Sequence, residues 1–380
     1  MKKMSLLLST VCMILISATV SFASGTVKIG ALFAVTGPAS FLGEPEKRTL
    51  ELLVKEANAK GGINGTTLEA VIYDTGGDAT KAVQLATKLI KDDKVSVIIG
   101  PSTTGESMAV IPVAEKWKIP LISCAAGIKI TDPVKQWVFK TPANDHIAAG
   151  KILNYMAGKK QNNIALLTVT DGFGASGREQ IKALAKQKGF NIVADEVYGP
   201  KDTDMTAQLT KIRGIKPDAI ICWGTNPGPA VITKNVKQLG INTPLYMSHG
   251  VASKKYIELA GAASAEGVML PAGKLAIYDA LPKGDSQYKM LKEYDNSFKK
   301  TYGTEASTFG GYAYDAFLLV TNAIKKNGST PEQIRAGVEQ ASKLVSISGV
   351  FTMTPKDHNG LDLSAFEMVK IVKGDWALLK

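Results

Sequence analysis

At 380 residues the chain is too long for a single domain of about 150 residues, so two lobes are expected. Its 45% hydrophobic and 21% charged residues exclude a disordered or collagen-like chain. The formal charge of +11 comes from lysines spread over helical faces, with no basic block interleaved with aromatics; this excludes a nucleic-acid partner and leaves a solvated surface that can attract anions.

Lys2 and Lys3 precede an apolar run from Met4 to about Val20, and Ser21-Phe22-Ala23 follows. A charged start, an apolar centre and small residues before a cut describe a secretory leader over residues 1–23, cleaved near Ala23, and so an exported protein. The run is broken by Ser5, Ser9, Thr10 and Ser17 and is short for a membrane span.

The next segment, Val27 to Val35, reads as a strand that Thr36-Gly37-Pro38 breaks. A helix from about Glu44 to Lys60 stops at Gly61-Gly62. A strand over Thr67–Asp74, a helix over Asp78–Asp92 and a strand over Val95–Ile99 come next. The stretch from Gly100 to Gly127 reads as loop, helix (Gly105 to Trp117), strand (Ile119 to Ser123) and loop. It places two small-residue loops at the carboxyl ends of neighbouring parallel strands, where open α/β sheets bind ligands. The first loop adds hydroxyls at a helix N-terminus, which suits an anion.

After Val138–Thr141 and Pro142 the alternation begins again. Helices are expected over Asp145–Ala157, Ala175–Lys188, Thr203–Arg213 and Gly228–Leu239, with strands over 163–170, 191–198, 218–224 and 244–248. Strands alternating with helices imply βαβ units and parallel sheets. Three helices without strands then follow, at 286–302, 309–327 and 331–342, and short strands close the chain at 348–353, 364–372 and 376–380. The helices would return to the first lobe and the last strands to the second. The expected division is 26–142 plus 274–348 for lobe 1 and 143–273 plus 349–380 for lobe 2, with crossings near Pro142, Pro271 and Ser348. The fold class is therefore α/β, two Rossmann-like lobes with parallel-sheet cores joined by a multi-strand hinge that can close on a ligand.

Gly172, Gly174 and Gly177 spell the GxGxxG of dinucleotide sites, with Asp195 and Glu196 about 20 residues on. Asp171 directly before the first glycine opposes a pyrophosphate, so the motif reads as a tight turn that presents Phe173. Cys124 and Cys222 end two predicted strands in different lobes and read as buried free thiols. With no CxxC and only His146, His249 and His358, no metal site is expected. His146 and His358 read as surface residues. No GxSxG accompanies His249, so no catalytic residue is assigned, although an exported hydrolase using His249 is the alternative from another class. In Phe309–Phe317, helical spacing places Tyr312, Ala316 and Leu319 on a core face, with Phe309 at the helix start able to face a cleft.

These residues carry a resemblance. The chain resembles the periplasmic substrate-binding proteins of branched-chain amino-acid type ABC transporters, the type I periplasmic binding fold. It does so through TGPASFLG (36–43), KEANAKGGINGTTLEAVIYDTGGDATKAVQLATKLI (55–90), IIGPSTTGESMAVIPVAEKWKIPLIS (98–123), TDGFGASG (170–177) and LYMSHGVAS (245–253). The resemblance implies a receptor that hands its ligand to a membrane ABC permease, without cofactor. It implies that Thr104, with Ser102 and Thr103 beside it, holds a ligand carboxylate. Ala125 and Ala126 would add backbone contacts, Phe173 would close over the ligand, Phe41 and Leu42 would line the pocket, and Trp223 to Asn226 would face the cleft. Two departures stand out. His249 occupies the place where amino-acid binders of the family hold the ammonium with an acid, and Gly127 stands where they commonly use a threonine. A buried ammonium without a counter-charge is costly. The expected ligand is thus a small carboxylate without an α-ammonium, an aromatic acid or a 2-oxo acid, walled by Phe41, Phe173 and Trp223. The alternative is a branched-chain type amino acid or an amide or amino-acid sensor. The receptor is expected to act as a monomer.

Overall fold

The computed structural model describes residues 25–379, so the expected leader lies outside the described residues. The first sheet is formed by β1 (Thr26–Phe33), β2 (Thr67–Asp74), β3 (Val97–Ile99), β4 (Leu121–Ser123) and β5 (Val138–Lys140), in the order β2-β1-β3-β4-β5, all parallel. Alternation along β1 explains its layers. Ile29, Ala31 and Phe33 point to one cluster and Leu32 to the other. Helix α1 (Ser40–Ala59) covers the first face, and α2 (Ala79–Lys91) and α3 (Thr104–Trp117) cover the second.

Helix α4 (Asp145–Ala157) leads into the second sheet. It contains β6 (Asn163–Val169), β7 (Asn191–Tyr198), β8 (Ala219–Trp223), β9 (Leu245–Met247), β10 (Met269–Ala272), β13 (Glu367–Val372) and β14 (Asp375–Leu378). Their order is β14-β13-β10-β9-β8-β6-β7, with β13 antiparallel to both neighbours. On β8, Ala219, Ile221 and Trp223 face α4 and α5 (Gly172–Lys188), while Ile220 and Cys222 face α6 (Thr206–Ile215) and α7 (Gly228–Gln238). Cys124 and Cys222 are buried and free.

The remaining helices are α8 (Lys254–Ala260), α9 (Ala262–Ala265), α10 (Tyr288–Tyr302), α11 (Thr308–Asn327) and α12 (Pro331–Glu339). Helix α11 lies on the first sheet with α1 and α12, through Phe309, Ala313, Val320 and Ile334. The third passage between the sheets differs from the expectation. Strands β11 (Leu344–Val345) and β12 (Val350–Phe351) pair with each other, and Phe351 and Met353 stay in the first-sheet core. His358 stacks on Phe139 at 4.1 Å, so the chain joins the second sheet only at Glu367. Strand β10 and helices α8 and α9 carried no sequence expectation. Helix α1 begins one turn before Glu44 because Gly43 is a packing residue, not a break: a Cβ there would stand 2.4 Å from the Ala34 carbonyl carbon.

The passages converge. Ala143, Gly273 and Ser348 line one small void with Thr308 and Tyr312. Asp315 of α11 pins the segment before Gly349. It accepts from the Ser346 hydroxyl, from the Ile347 amide at 2.7 Å and from the Ser348 amide at 3.0 Å. Gln287 grips the same segment from the other side, donating to the Ser346 and Ile347 carbonyls. Asp315→Ala leaves two buried amides unpaired and is expected to destabilise the fold by about 3 kcal/mol, read by urea denaturation. Asp315→Asn keeps one acceptor oxygen and should cost less. Equal stability of Asp315→Ala and wild type would show that the clamp contributes nothing.

Candidate functional site

Between the carboxyl edges of the two sheets lies a cavity of about 340 Å3. The first sheet contributes the loops after β1 (Pro38, Leu42), β2 (Gly76, Ala79), β3 (Ser102–Glu106) and β4 (Cys124–Ala126), and α11 adds Phe309 and Tyr312. The second contributes the loops after β6 (Asp171–Phe173), β7 (Tyr198, Pro200), β8 (Thr225–Gly228) and β9 (His249, Gly250). Helices α3, α5 and α7 all begin on this cavity, so their positive ends and first-turn amides face it. The sheets approach closely: the Ile128 amide donates to Ser176 at 3.3 Å, Lys129 pairs with Glu179 at 2.6 Å, and the Thr308 hydroxyl donates to the Ala252 carbonyl.

The hydroxyls of the first loop have different duties. Ser102 donates to buried Glu46 and accepts from the Ala34 amide, so its hydroxyl is taken. Thr103 caps α3: it accepts from the Glu106 amide and donates to the Glu106 carboxylate at 2.6 Å. Only Thr104 keeps its proton for a ligand, and it accepts from the Gly127 amide at 3.3 Å. Gly127 follows from that threonine, since a Cβ there would lie 2.4 Å from the Thr104 methyl. Gly127 therefore sits behind Thr104 rather than in the cavity wall, whereas Ala125 and Ala126 line it. Burial pushes the Cys124 thiol well up, and it is no nucleophile.

Under the loop after β4 lies a buried pair. Lys140 donates to the Ala126 carbonyl at 2.7 Å, and neither oxygen of Asp145 has a hydrogen-bond partner. Burial pushes Lys140 down and Asp145 up from their ordinary values, and each is opposed by the other's charge.

In the second lobe, the GxGxxG stretch is the first turn of α5. Asp171 caps it, accepting from the Gly174 amide at 2.8 Å. A Cβ on Gly174 would meet the Val169 carbonyl oxygen at 1.8 Å, and one on Gly177 would meet Trp223 Nε1 at 2.0 Å. These glycines are demanded by packing, not by a phosphate. Trp223 is fully buried beneath Phe173 and does not reach the cavity, contrary to its expected role as a wall. Phe173 does form the wall, 5.5 Å from the His249 ring.

His249 is 2% exposed, held among Phe173, Trp223 and Phe366, and neither ring nitrogen has a hydrogen-bond partner. Burial first, then the Lys140 charge, pushes its pKa down to about 3. With no hydroxyl or thiol on either nitrogen, the hydrolase alternative has no dyad. Asn226 leaves both ends of its amide unpartnered, as does the Tyr198 hydroxyl, and both residues line the cavity. Such buried polar groups are what a bound ligand satisfies.

Phe41 is the other displaced residue. It packs edge-on against Phe309 outside the cavity, and Leu42 and Phe309 are the wall. His146 is exposed as expected, but His358 is buried, bonded to the Val138 carbonyl at 2.8 Å and to Glu339 at 3.2 Å. Among lining residues that sequence reasoning did not assign are Glu106, Tyr198 and Tyr312. The spacing of Tyr312, one turn after Phe309, was a signal for it. Glu106 and Asp171 are both held above the usual carboxylate range, by burial first.

The profile described as "Periplasmic binding protein" matches residues 26–374. The chain is 24% identical over 356 residues to the leucine-, isoleucine-, valine-, threonine-, and alanine-binding protein of Pseudomonas aeruginosa, covering 93% of this chain and 92% of that one. Among solved structures, an extracellular ligand-binding receptor from Rhodopseudomonas palustris HaA2 is similar with a TM-score of 0.87 and 29% identity, covering 93% and 99% of the two chains. The substrate-binding protein LivJ of a branched-chain amino acid transporter from Streptococcus pneumoniae, in complex with isoleucine, is similar with a TM-score of 0.83 and 26% identity, covering 92% and 97%.

The buried imidazole carries a pH signature. Unfolded, it takes a proton below about 6.5; folded, it resists until about 3. The unfolded state binds more protons in that window, so stability rises with pH across it. Relative to His249→Phe, wild type is expected to lose up to about 1.4 kcal/mol per pH unit as pH falls below 6, measured by denaturant melts of both proteins. Parallel stability curves would show that His249 titrates normally.

Proposed function

The chain belongs to the periplasmic binding protein family, a family of solute-binding proteins rather than enzymes, and from that premise we propose what it carries. It is a binding receptor for ABC transport, and we infer that its ligand is a small carboxylate without an α-ammonium, an aromatic acid or a 2-oxo acid. The observation that carries this reading is the neutral His249 at the end of β9, with no acid in its place, facing a cavity whose other free groups include Thr104, Asn226, Tyr198 and one oxygen of Glu106. Helix N-termini and a hydroxyl donor suit a carboxylate; Asn226 and His249 suit a carbonyl or hydroxyl. Phe173, Tyr198, Phe309 and Tyr312 suit a ring. The volume is at the small end of ligand cavities, which run from about 300 Å3 upward.

We infer further that the two sheets act as hinged lobes. Ligand held by the first-lobe loops recruits Phe173, Asn226 and His249 and so favours the closed state. A second reading, an apolar α-amino acid, is supported by the acidic Glu106 and Asp171 in the cavity wall and by the names of the relatives. Asp171 is engaged as the cap of α5 and one Glu106 oxygen holds Thr103, while Glu106 Oε1 has no partner and is the acceptor this reading would use. It ranks second because no acid stands at the His249 position.

A thermal-shift screen with leucine, glutamate, benzoate, phenylpyruvate and short 2-oxo acids separates the two. Stabilisation by a desamino acid and none by leucine is expected; the reverse result replaces the first reading with the second. Thr104→Val keeps the shape, removes the hydroxyl and is expected to weaken the bound acid by about tenfold to a hundredfold in calorimetric titration. His249→Glu is expected to gain affinity for leucine, and no gain would show that this position does not select against an ammonium.

A further inference from the structure

The space between the lobes is divided by a wall. On one side is the ligand cavity. On the other is a recess of about 1090 Å3, bordered by Phe41, Ala252, Ser253, Leu275, Tyr278 and Trp376. The wall is the edge-on pair of Phe41 and Phe309, with ring centroids 5.4 Å apart at 79°. Phe309 faces the cavity and Phe41 the recess. From the second lobe, the Ala252 carbonyl closes the wall by accepting the Thr308 hydroxyl.

The geometry of α1 explains why one residue serves each side. Neighbouring helical positions point about 100° apart, so Leu42 faces the cavity while Phe41 faces away. The contact of Gly43 with the Ala34 backbone locks this first turn against β1, so Phe41 cannot swing aside with the helix. The lysines and arginine bordering the recess are engaged with acids, Arg48 with Glu44, Lys254 with Asp375, Lys255 with Glu258 and Lys299 with Asp295 and Glu305, so the recess offers space and aromatic surface rather than a free cation. A chain extending from the cavity toward the recess would meet the Phe309 ring first, with the Phe41 ring against its far side and this open space beyond.

We infer that Phe41 is a positioning residue that sets the maximum length of the ligand: by backing Phe309 from the recess side it holds that ring as the end wall of the cavity and excludes longer aryl-alkyl acids that the recess could hold once Phe309 is free to turn aside. The inference rests on the reading of the cavity as a carboxylate site. The test is calorimetric titration of phenylacetate, phenylpropanoate, phenylbutanoate and phenylhexanoate against wild type, Phe41→Ala and Phe41→Leu. The ratio of long-chain to short-chain affinity is expected to rise about tenfold in Phe41→Ala, as two further methylenes become buried, and to rise less in Phe41→Leu. A length profile that is the same in all three proteins overturns the inference. If Phe41→Ala does not fold, Phe41→Leu decides by the same ratio. If none of these acids binds wild type, the carboxylate reading fails on its own, and a crystal structure of Phe41→Leu decides the wall: a continuous cavity upholds it and two separate spaces overturn it.

Discussion

Parallel pairing puts the start of each crossover helix on the same edge of its sheet as the carboxyl ends of the strands. Two such sheets facing edge to edge concentrate unpaired amides and positive dipole ends in one narrow space. The rest of the site is an answer to that concentration. Thr103 with Glu106 caps α3 and Asp171 caps α5, which quiets part of it. What remains unanswered is gathered around Thr104, Asn226 and His249, with one Glu106 oxygen in the same wall. The buried pair of Lys140 and Asp145 lies under the same region, and burial pulls both toward their neutral forms. An anion complements the helix starts, and the buried acidic oxygen left without a partner in the cavity wall is Glu106 Oε1, while the other Glu106 oxygen and Asp171 are engaged in holding helices.

A second ordering principle is the seating of aromatic rings on glycines. Phe173 lies where a Cβ on Gly250 would stand 2.7 Å from it, Trp223 rests on Gly177, and Tyr198 is crowded by the positions of Gly224 and Gly228. Each ring is located by the absence of a side chain elsewhere. Trp223 orients Phe173 and His249 from behind without touching what they surround. The Thr104–Gly127 contact is the same device at smaller scale, one methyl group excluding a side chain and its hydroxyl.

The alternation of strands and helices made the two parallel sheets legible, because buried strands and amphipathic helices write different periods into the chain. The positions of Thr104, Phe173 and His249 at strand ends were legible for the same reason. What was not legible depended on contacts between distant segments. Ser102 looks like a ligand donor until Glu46, 56 positions away, takes its proton. Trp223 and Phe41 look like walls until Phe173 and Phe309 come between them and the cavity. His358 looks like a surface residue until Phe139 and Glu339 close on it. The late third passage was hidden because it depends on contacts between distant segments: β12 pairs with β11, Phe351 and Met353 pack in the first core, and His358 stacks on Phe139.

The contacts that bridge the lobes have a consequence for the empty receptor. Lys129 and Glu179 are 59% and 54% exposed, so their attraction is weak and screened by salt. The Ile128–Ser176 bond is a single neutral contact at 3.3 Å. If the lobes hinge as proposed, a cleft shut on nothing would leave His249 and Asn226 desolvated and unanswered, and closure without cargo would be unfavourable. A permease that recognises the closed shape would then ignore unloaded copies, and a crowd of empty receptors would not obstruct the loaded few.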